Sequence, residues 1–258
     1  MGSEAIKIEK LTKTFKLSSK QQKERKIDSK KITAVNELSF SVNQGEIFGL
    51  LGANGAGKTT TLRMLACLIK ADSGDAFING VSIVKSPEEV RRQIGFLTSE
   101  LKLEEFFTPD YLFDYFCDLH QVPDDIKNKR KSELFARFGI DSFAHTKVAN
   151  LSTGMKQKVS LVIAVAHDPN VIIFDEPTNG LDIITAKVVT DFLQELRQNG
   201  KTVIISTHIL SLVEKVCDRV GIIIGGKIAV CGTIQDLTKE KSLEDLFFEL
   251  YEKGGDDK

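Results

Sequence analysis

No stretch of this 258-residue chain is apolar for long enough to cross a bilayer. The longest uninterrupted run near its middle, Leu161 to Ala166, stops at His167, far short of the ~20 residues a spanning helix needs. The chain is expected to be soluble by itself. Its first residues, MGSEAIKIEK, hold no apolar signal-peptide core, and Cys67, Cys117, Cys217 and Cys231 stand too far apart for a zinc or redox motif. A reduced cytoplasm is the expected setting. An excess of one charge is also missing, since 35 basic and 36 acidic residues leave a formal charge of −1. No overall field therefore draws in nucleic acid or an acidic membrane, and no nucleic-acid partner is expected. Internal repeats and sustained heptads are absent as well, so the length is left for one large core or two smaller ones.

What the chain does have begins at residues 52–60, GANGAGKTT, a full match to GxxxxGK[ST]. The motif follows the apolar run Ile47–Leu51 and precedes LRMLACLI, whose spacing suits a buried helix. That strand-to-helix setting predicts a loop that wraps phosphate, made from Gly52, Ala53, Asn54, Gly55, Ala56, Gly57, Lys58, Thr59 and Thr60. ATP or GTP is the expected ligand. Lys58 would reach its β and γ phosphates, and Thr59 would offer a hydroxyl to Mg²⁺.

Around this motif, apolar and polar residues alternate over Ala5–Phe15 and Ile32–Val42, predicting antiparallel strands. Residues 16–31 between them are strongly basic and read as a solvated loop. Two short strands are expected about Asn79 and Gly80, and another over Ile94–Leu97. From Pro109 to Ala164 the periodicity turns mostly helical, which reads as a helical subdomain inserted into the nucleotide core. Strands over 171–174, 202–206 and 220–224 then alternate with helices, predicting a largely parallel sheet covered by helices. The charged tail after Tyr251 is expected to fray.

Hydrolysis of a bound triphosphate needs a carboxylate for the metal and another to take a proton from the attacking water. VIIFDE at 171–176 supplies both at the carboxyl end of a buried strand: Asp175 for Mg²⁺ and Glu176 as general base.

Four further segments then give the chain a family resemblance that covers nearly its whole length. LSTGMKQK at 151–158, EPTNGLD at 176–182, ISTHI at 205–209 and Phe15 occur in the order found in ABC-type ATPase subunits, which the chain resembles. The resemblance implies a P-loop NTPase (RecA-like) α/β core with a parallel sheet, an N-terminal antiparallel β subdomain and an inserted helical subdomain. The implied division is 1–98 with 166–235 as core, 99–165 as helical subdomain and 236–258 as C-terminal helix and tail. It further implies that Ser152 and Gly154 meet nucleotide held by a second protomer, that Asp182 is a dimer contact, that His208 bonds to the γ-phosphate and that Phe15 stacks on adenine. An integral-membrane permease is the implied partner, with the ATPase peripheral on the inner face of the cell membrane.

Thr153 and Gly180, together with the motifs around them, resemble the bacterial ABC-2 and sodium-exporter branch. The family's usual glutamine after IGFL is missing, with Ser99 and Glu100 in its place, so metal coordination by that loop is in doubt. Two other readings compete with an exporter subunit. One is a soluble ABC ATPase of chromosome maintenance or translation: chromosome members insert a long coiled coil between Lys58 and Asp175, for which there is no room, and translation members normally carry two cassettes in one chain, where this has one. A weakly catalytic regulatory module is suggested by Ser99 and opposed by the presence of Lys58, Asp175, Glu176 and His208.

Overall fold

The computed structural model describes residues 3–18, 22, 29–98 and 103–255. The alternation near the start builds β1 (Glu4–Lys16) and β2 (Lys31–Asn43), which pair antiparallel with Ile8 opposite Phe40 and Phe15 opposite Ile32. Ile6, Ile8, Leu11, Val35, Leu38 and Val42 are buried, as a period-two pattern requires when one face is covered. β4 (Ser73–Ile78) and β5 (Val81–Ser82) turn at Asn79 and Gly80 and complete a four-stranded sheet in the order β2-β1-β4-β5.

The second sheet has six strands in the order β10-β9-β3-β8-β7-β6. These are β3 (Ile47–Leu51), β6 (Ile94–Leu97), β7 (Val171–Asp175), β8 (Thr202–Thr207), β9 (Arg219–Ile224) and β10 (Lys227–Thr233). All neighbours run parallel except β10, which pairs antiparallel with β9. Every residue of β3, β7 and β8 is buried, because helices or the other sheet cover both faces. Along β7, Ile172 and Phe174 enter one core, whereas Val171 and Ile173 enter the other.

That second core lies between the sheets and takes in α1 (Lys58–Leu65) through Leu62, Met64 and Leu65. On the opposite face sit α3 (Pro109–Leu119), α4 (Asp124–Phe138), α5 (Thr153–Val165) and α6 (Ile183–Gln198). Phe113, Phe135 and Phe138 from these helices join Phe174 and Val203 of the sheet in one continuous cluster. The inserted helices thus share the core of the sheet they cover.

Gly225 and Gly226 turn β9 into β10 (φ 55° and 81°), a hairpin absent from the expected elements. The short helix α2 (Pro87–Gln93) ahead of β6 and the small α8 (Ile234–Leu237) were likewise not anticipated. Beyond α7 (Leu210–Val216), the chain ends in α9 (Leu243–Gly255), which corrects the expectation of a frayed tail after Tyr251. Leu243, Leu246, Phe247 and Leu250 form an apolar stripe packed with Val213 and Val220, and Lys253 pairs with Glu249 one turn back at 2.6 Å. Residues 256–258 lie outside the described residues, as does most of the basic segment between β1 and β2.

Candidate functional site

Three neighbouring parallel strands bring the site together at their carboxyl edge. Register places Leu51 of β3 beside Thr207 of β8, and Ser206 of β8 beside Asp175 of β7. The residues that follow each strand therefore emerge at one rim, which is where ligands gather in such sheets.

From β3 the chain passes through Gly52, Ala53, Asn54, Gly55, Ala56 and Gly57 before α1 starts at Lys58 and continues through Thr59 and Thr60. Gly57 has φ 109°, and a Cβ there would lie 2.4 Å from the Ala34 carbonyl oxygen of β2. Only glycine lets this bend sit against the strand. The bend aims the unpaired N–H groups of the first turn of α1 out of the rim, a setting suited to an anion.

Lys58 is buried and donates to the carbonyl oxygens of Gly52 (2.7 Å) and Ala53 (3.3 Å). Its ammonium also lies 3.4 Å from Oε1 of Glu176. His208 Nδ1 approaches both carboxylate oxygens of Glu176, at 3.0 and 3.1 Å. Lys58, Glu176 and His208 thus meet in one cluster although they come from three separate segments that follow β3, β7 and β8. Beside it, Thr59 donates its hydroxyl to Oδ1 of the buried Asp175 at 3.0 Å. Hydroxyl and carboxylate oxygens in this pairing suit a hard divalent cation such as Mg²⁺.

The sequence motifs left some contributors unmarked. Ser206, fully buried at the end of β8, donates to Asp175 and accepts the Glu176 N–H at 3.1 Å. Thr98 reaches the other carboxylate oxygen of Asp175 at 3.5 Å. Gly226 donates its N–H to the Ala56 carbonyl (3.1 Å) while its own carbonyl accepts from Asn36, tying the β9–β10 turn to the phosphate loop and β2. A polar residue inside an apolar strand was the available signal for Ser206, and a Gly-Gly pair after such a strand was the signal for the turn.

The remaining expected residues lie away from this cluster. Ser152 caps α5, accepting the Met155 N–H at 3.2 Å, and Gly154 occupies the first turn. Asp182 caps α6, accepting from the backbone N–H groups of Ile184 and Thr185 and from the Thr185 hydroxyl. The Thr185 N–H first, then its hydroxyl, hold the Asp182 carboxyl below the usual carboxylate range. The two helix starts are neighbours, since a Cβ on Gly154 would stand 3.7 Å from the Thr185 hydroxyl and 3.9 Å from Asp182 Oδ2. Gln157 adds a hydrogen bond to the Pro177 carbonyl at 3.3 Å.

Phe15 is exposed at the end of β1, with the Lys13 ammonium 5.6 Å from its ring centroid, so it is not a core residue. Its strand partner Ile32 lies on β2, the strand that backs Gly57. Ser99 and Glu100 lie outside the described residues. A separate groove of about 530 Å³ runs between α2, β6 and the inserted helices, lined by Arg91, Arg92, Phe96, Phe116, Leu119 and Ile163 among others.

Comparison with known proteins gives this geometry a context. The ABC transporter family profile matches residues 35–179. The ABC transporter ATP-binding protein NatA of Bacillus subtilis is 38% identical over 221 residues, spanning 85% of this chain and 90% of its own length. A solved ATP-binding subunit of an ABC transporter superposes with a TM-score of 0.83 at 27% identity, covering 95% of this chain and 99% of that one. The ATP-binding cassette MJ0796, solved as a dimer in a post-hydrolysis state with ADP and Pi, superposes with a TM-score of 0.77 at 25% identity over 89% of this chain and 98% of that one. With a phosphate-wrapping loop, paired strand-end carboxylates and a histidine gathered at one sheet edge, the chain belongs to the ABC transporter family as an ATP-binding, ATP-hydrolysing cassette.

Proposed function

We propose that this chain is the ATPase subunit of an exporter of the ABC-2 and sodium-exporter branch, driving a separate integral-membrane permease from the cytoplasmic face of the cell membrane. The observation that carries the reading is the contact of Lys58 and His208 with the Glu176 carboxylate, beside the Thr59–Asp175 pair. Glu176 acts as general base on the attacking water, and Lys58 and the first turn of α1 hold the phosphates. Thr59 and Asp175 would hold Mg²⁺, which neutralises charge on the phosphate oxygens. His208 orients the Glu176 carboxylate and donates to the γ-phosphate, while Phe15 offers a ring face to adenine.

Two copies close head to tail, so that each ATP lies between one protomer's Lys58 loop and the other's Ser152 and Gly154, with Asp182 at the contact. The dimeric state of MJ0796 supports this arrangement. Closure performs work only because ATP binds the closed form more tightly than the open one. In the proposed division, residues 1–98 and 166–235 form the core, 99–165 the helical subdomain and 236–258 the C-terminal part. The permease seats in the groove between core and helices, whose lining mixes apolar side chains with Arg91 and Arg92.

Glu176→Gln tests the catalytic part. The amide keeps the size and loses the proton affinity, so ATP binding persists while turnover drops by about 10²- to 10⁴-fold. Wild-type turnover in that variant removes the general-base assignment. Copurification with a polytopic membrane protein tests the transport part, and a fully active complex lacking any such protein counts against it.

A further inference from the structure

The β7–β8 register sets one buried hydroxyl between the Asp175 carboxylate and the Glu176 backbone. Ser206 lies opposite Asp175, the last residue of β7, and Glu176 is the first residue beyond that strand. A serine hydroxyl has a single proton, and here it goes to Oδ1 of Asp175. The lone pairs left on Oγ accept the Glu176 N–H at 3.1 Å, and the Ser206 carbonyl oxygen shares that N–H at the same distance. Ser206 is fully buried, so water does not compete for either bond.

The grip on Glu176 matters because its backbone is in an uncommon state. Its φ is 51°, in the left-handed region that a residue with a Cβ rarely occupies. Such a conformation persists only where the surroundings hold it, and two acceptors on one N–H are a means of holding it. Two residues further along the same chain segment, His208 holds the other end of Glu176 through its carboxylate. The end of β8 therefore grips this residue at backbone and side chain, and the hydroxyl that takes part in the backbone grip is also bonded to Asp175.

We propose that Ser206 is a positioning residue for hydrolysis: its hydroxyl couples the orientation of Asp175 to the backbone of Glu176, acting on the reaction through both. The proposal rests on Asp175 and Glu176 having the roles given above. A base displaced by about 1 Å loses on the order of a hundredfold in rate, so a lost tether appears chiefly in turnover.

The test measures kcat and KM for ATP, across a Mg²⁺ titration, in purified Ser206→Ala, Ser206→Thr, Ser206→Val and Glu176→Gln. Threonine and valine have the same bulk and differ in the hydroxyl, which separates the hydrogen bonds from the packing. Ser206→Ala is expected to lose roughly ten- to a hundredfold in kcat, need more Mg²⁺ for half-maximal turnover and keep its KM within about twofold. Ser206→Thr is expected to exceed Ser206→Val in kcat by at least about tenfold at equal thermal stability. Wild-type kcat and Mg²⁺ dependence in Ser206→Ala, with Glu176→Gln inactive, overturns the Ser206 proposal alone. Equal kcat in folded Thr and Val variants also overturns it. Full activity in Glu176→Gln overturns the reading beneath it and takes the proposal down as well.

Discussion

His167 is half-buried against the His120 ring, in surroundings that disfavour a charge on its imidazole. Burial first, then the facing His120 ring, push its pKa down to about 4 from the ordinary 6.5. The rings stack 3.7 Å apart, and His167 Nε2 lies 3.1 Å from the Ile94 carbonyl oxygen, so the neutral form carries its proton on Nε2. Arg130 from α4 disfavours a further proton, whereas Asp168, 3.6 Å from the Arg130 guanidinium, favours one. Between about 6.5 and about 4 the unfolded chain binds more protons at this site than the folded one. The contribution of His167 to stability is therefore whole above the upper value and declines as pH falls toward the lower. In His167→Phe the ring remains and the titration is gone. That variant is expected to melt below wild type near neutral pH, through the lost bond to Ile94, with the gap narrowing by pH of about 4.5. A gap of the same size at both pH values rejects this account. At this scale the sequence was legible wherever a motif fixes a side chain's position, as for Lys58 and Thr59 at the start of α1. Ser206 was not, because its partners are defined by the β7–β8 register rather than by its neighbours in the chain.

Among the elements, α5 has two ends with different tasks. Residues 159–165 are all buried, and β6 runs so close that a Cβ on Gly95 would lie 2.3 Å from the Ala164 carbonyl oxygen. Neither backbone yields cheaply, so Gly95→Ala is expected to cost about 1–3 kcal/mol, read as a lower urea midpoint with an unchanged slope. At the other end, a Cβ on Gly154 meets its nearest atoms at ordinary contact distances of 3.7 and 3.9 Å. Gly154→Ala is expected to raise monomer stability by up to roughly 1 kcal/mol, because alanine favours helix. Under the proposed head-to-tail closure the same variant is expected to lose ATP-driven dimerisation, since the new methyl would stand where a second protomer's nucleotide approaches. If both substitutions destabilise the monomer equally, the two ends of α5 do not differ in this way. The start of α5 was legible from its cap, and the parallel strands from their apolar runs. The first half of α4 was not, since only Phe135 and Phe138 of that helix are buried and DDIKNKRK carries no apolar stripe. β10 escaped for another reason: only its pairing with β9 across the Gly-Gly turn marks it as a strand, and most of its residues are half-exposed.

At the scale of the whole molecule, chain order gave the alternation of strands and helices but not the sheet order, in which β3 sits between β8 and β9. That placement brings the phosphate loop beside Thr207 and His208, while Ser152 and Gly154 start a helix on a different part of the surface, next to Asp182. Among the described residues, no hydrogen bond joins Ser152 or Gly154 to Lys58, Glu176 or His208, as the proposed arrangement requires if these are two halves of a site completed by a second copy. Mixing two disabled variants tests whether a second copy joins them. Lys58→Ala disables the phosphate loop and Ser152→Arg disables the opposite half, so each homodimer is expected to be inactive. In the mixed dimer both lesions fall on one composite site, and the other combines an intact Lys58 with an intact Ser152. An equal mixture is half mixed dimers by chance, so hydrolysis should return to about a quarter of wild type if the two sites fire independently. A chain that used its own Ser152 would carry one lesion in every site, and the mixture would be as inactive as its parents. Recovery that grows with the mixed fraction and vanishes when either component is left out is the result that places the two halves on different protomers.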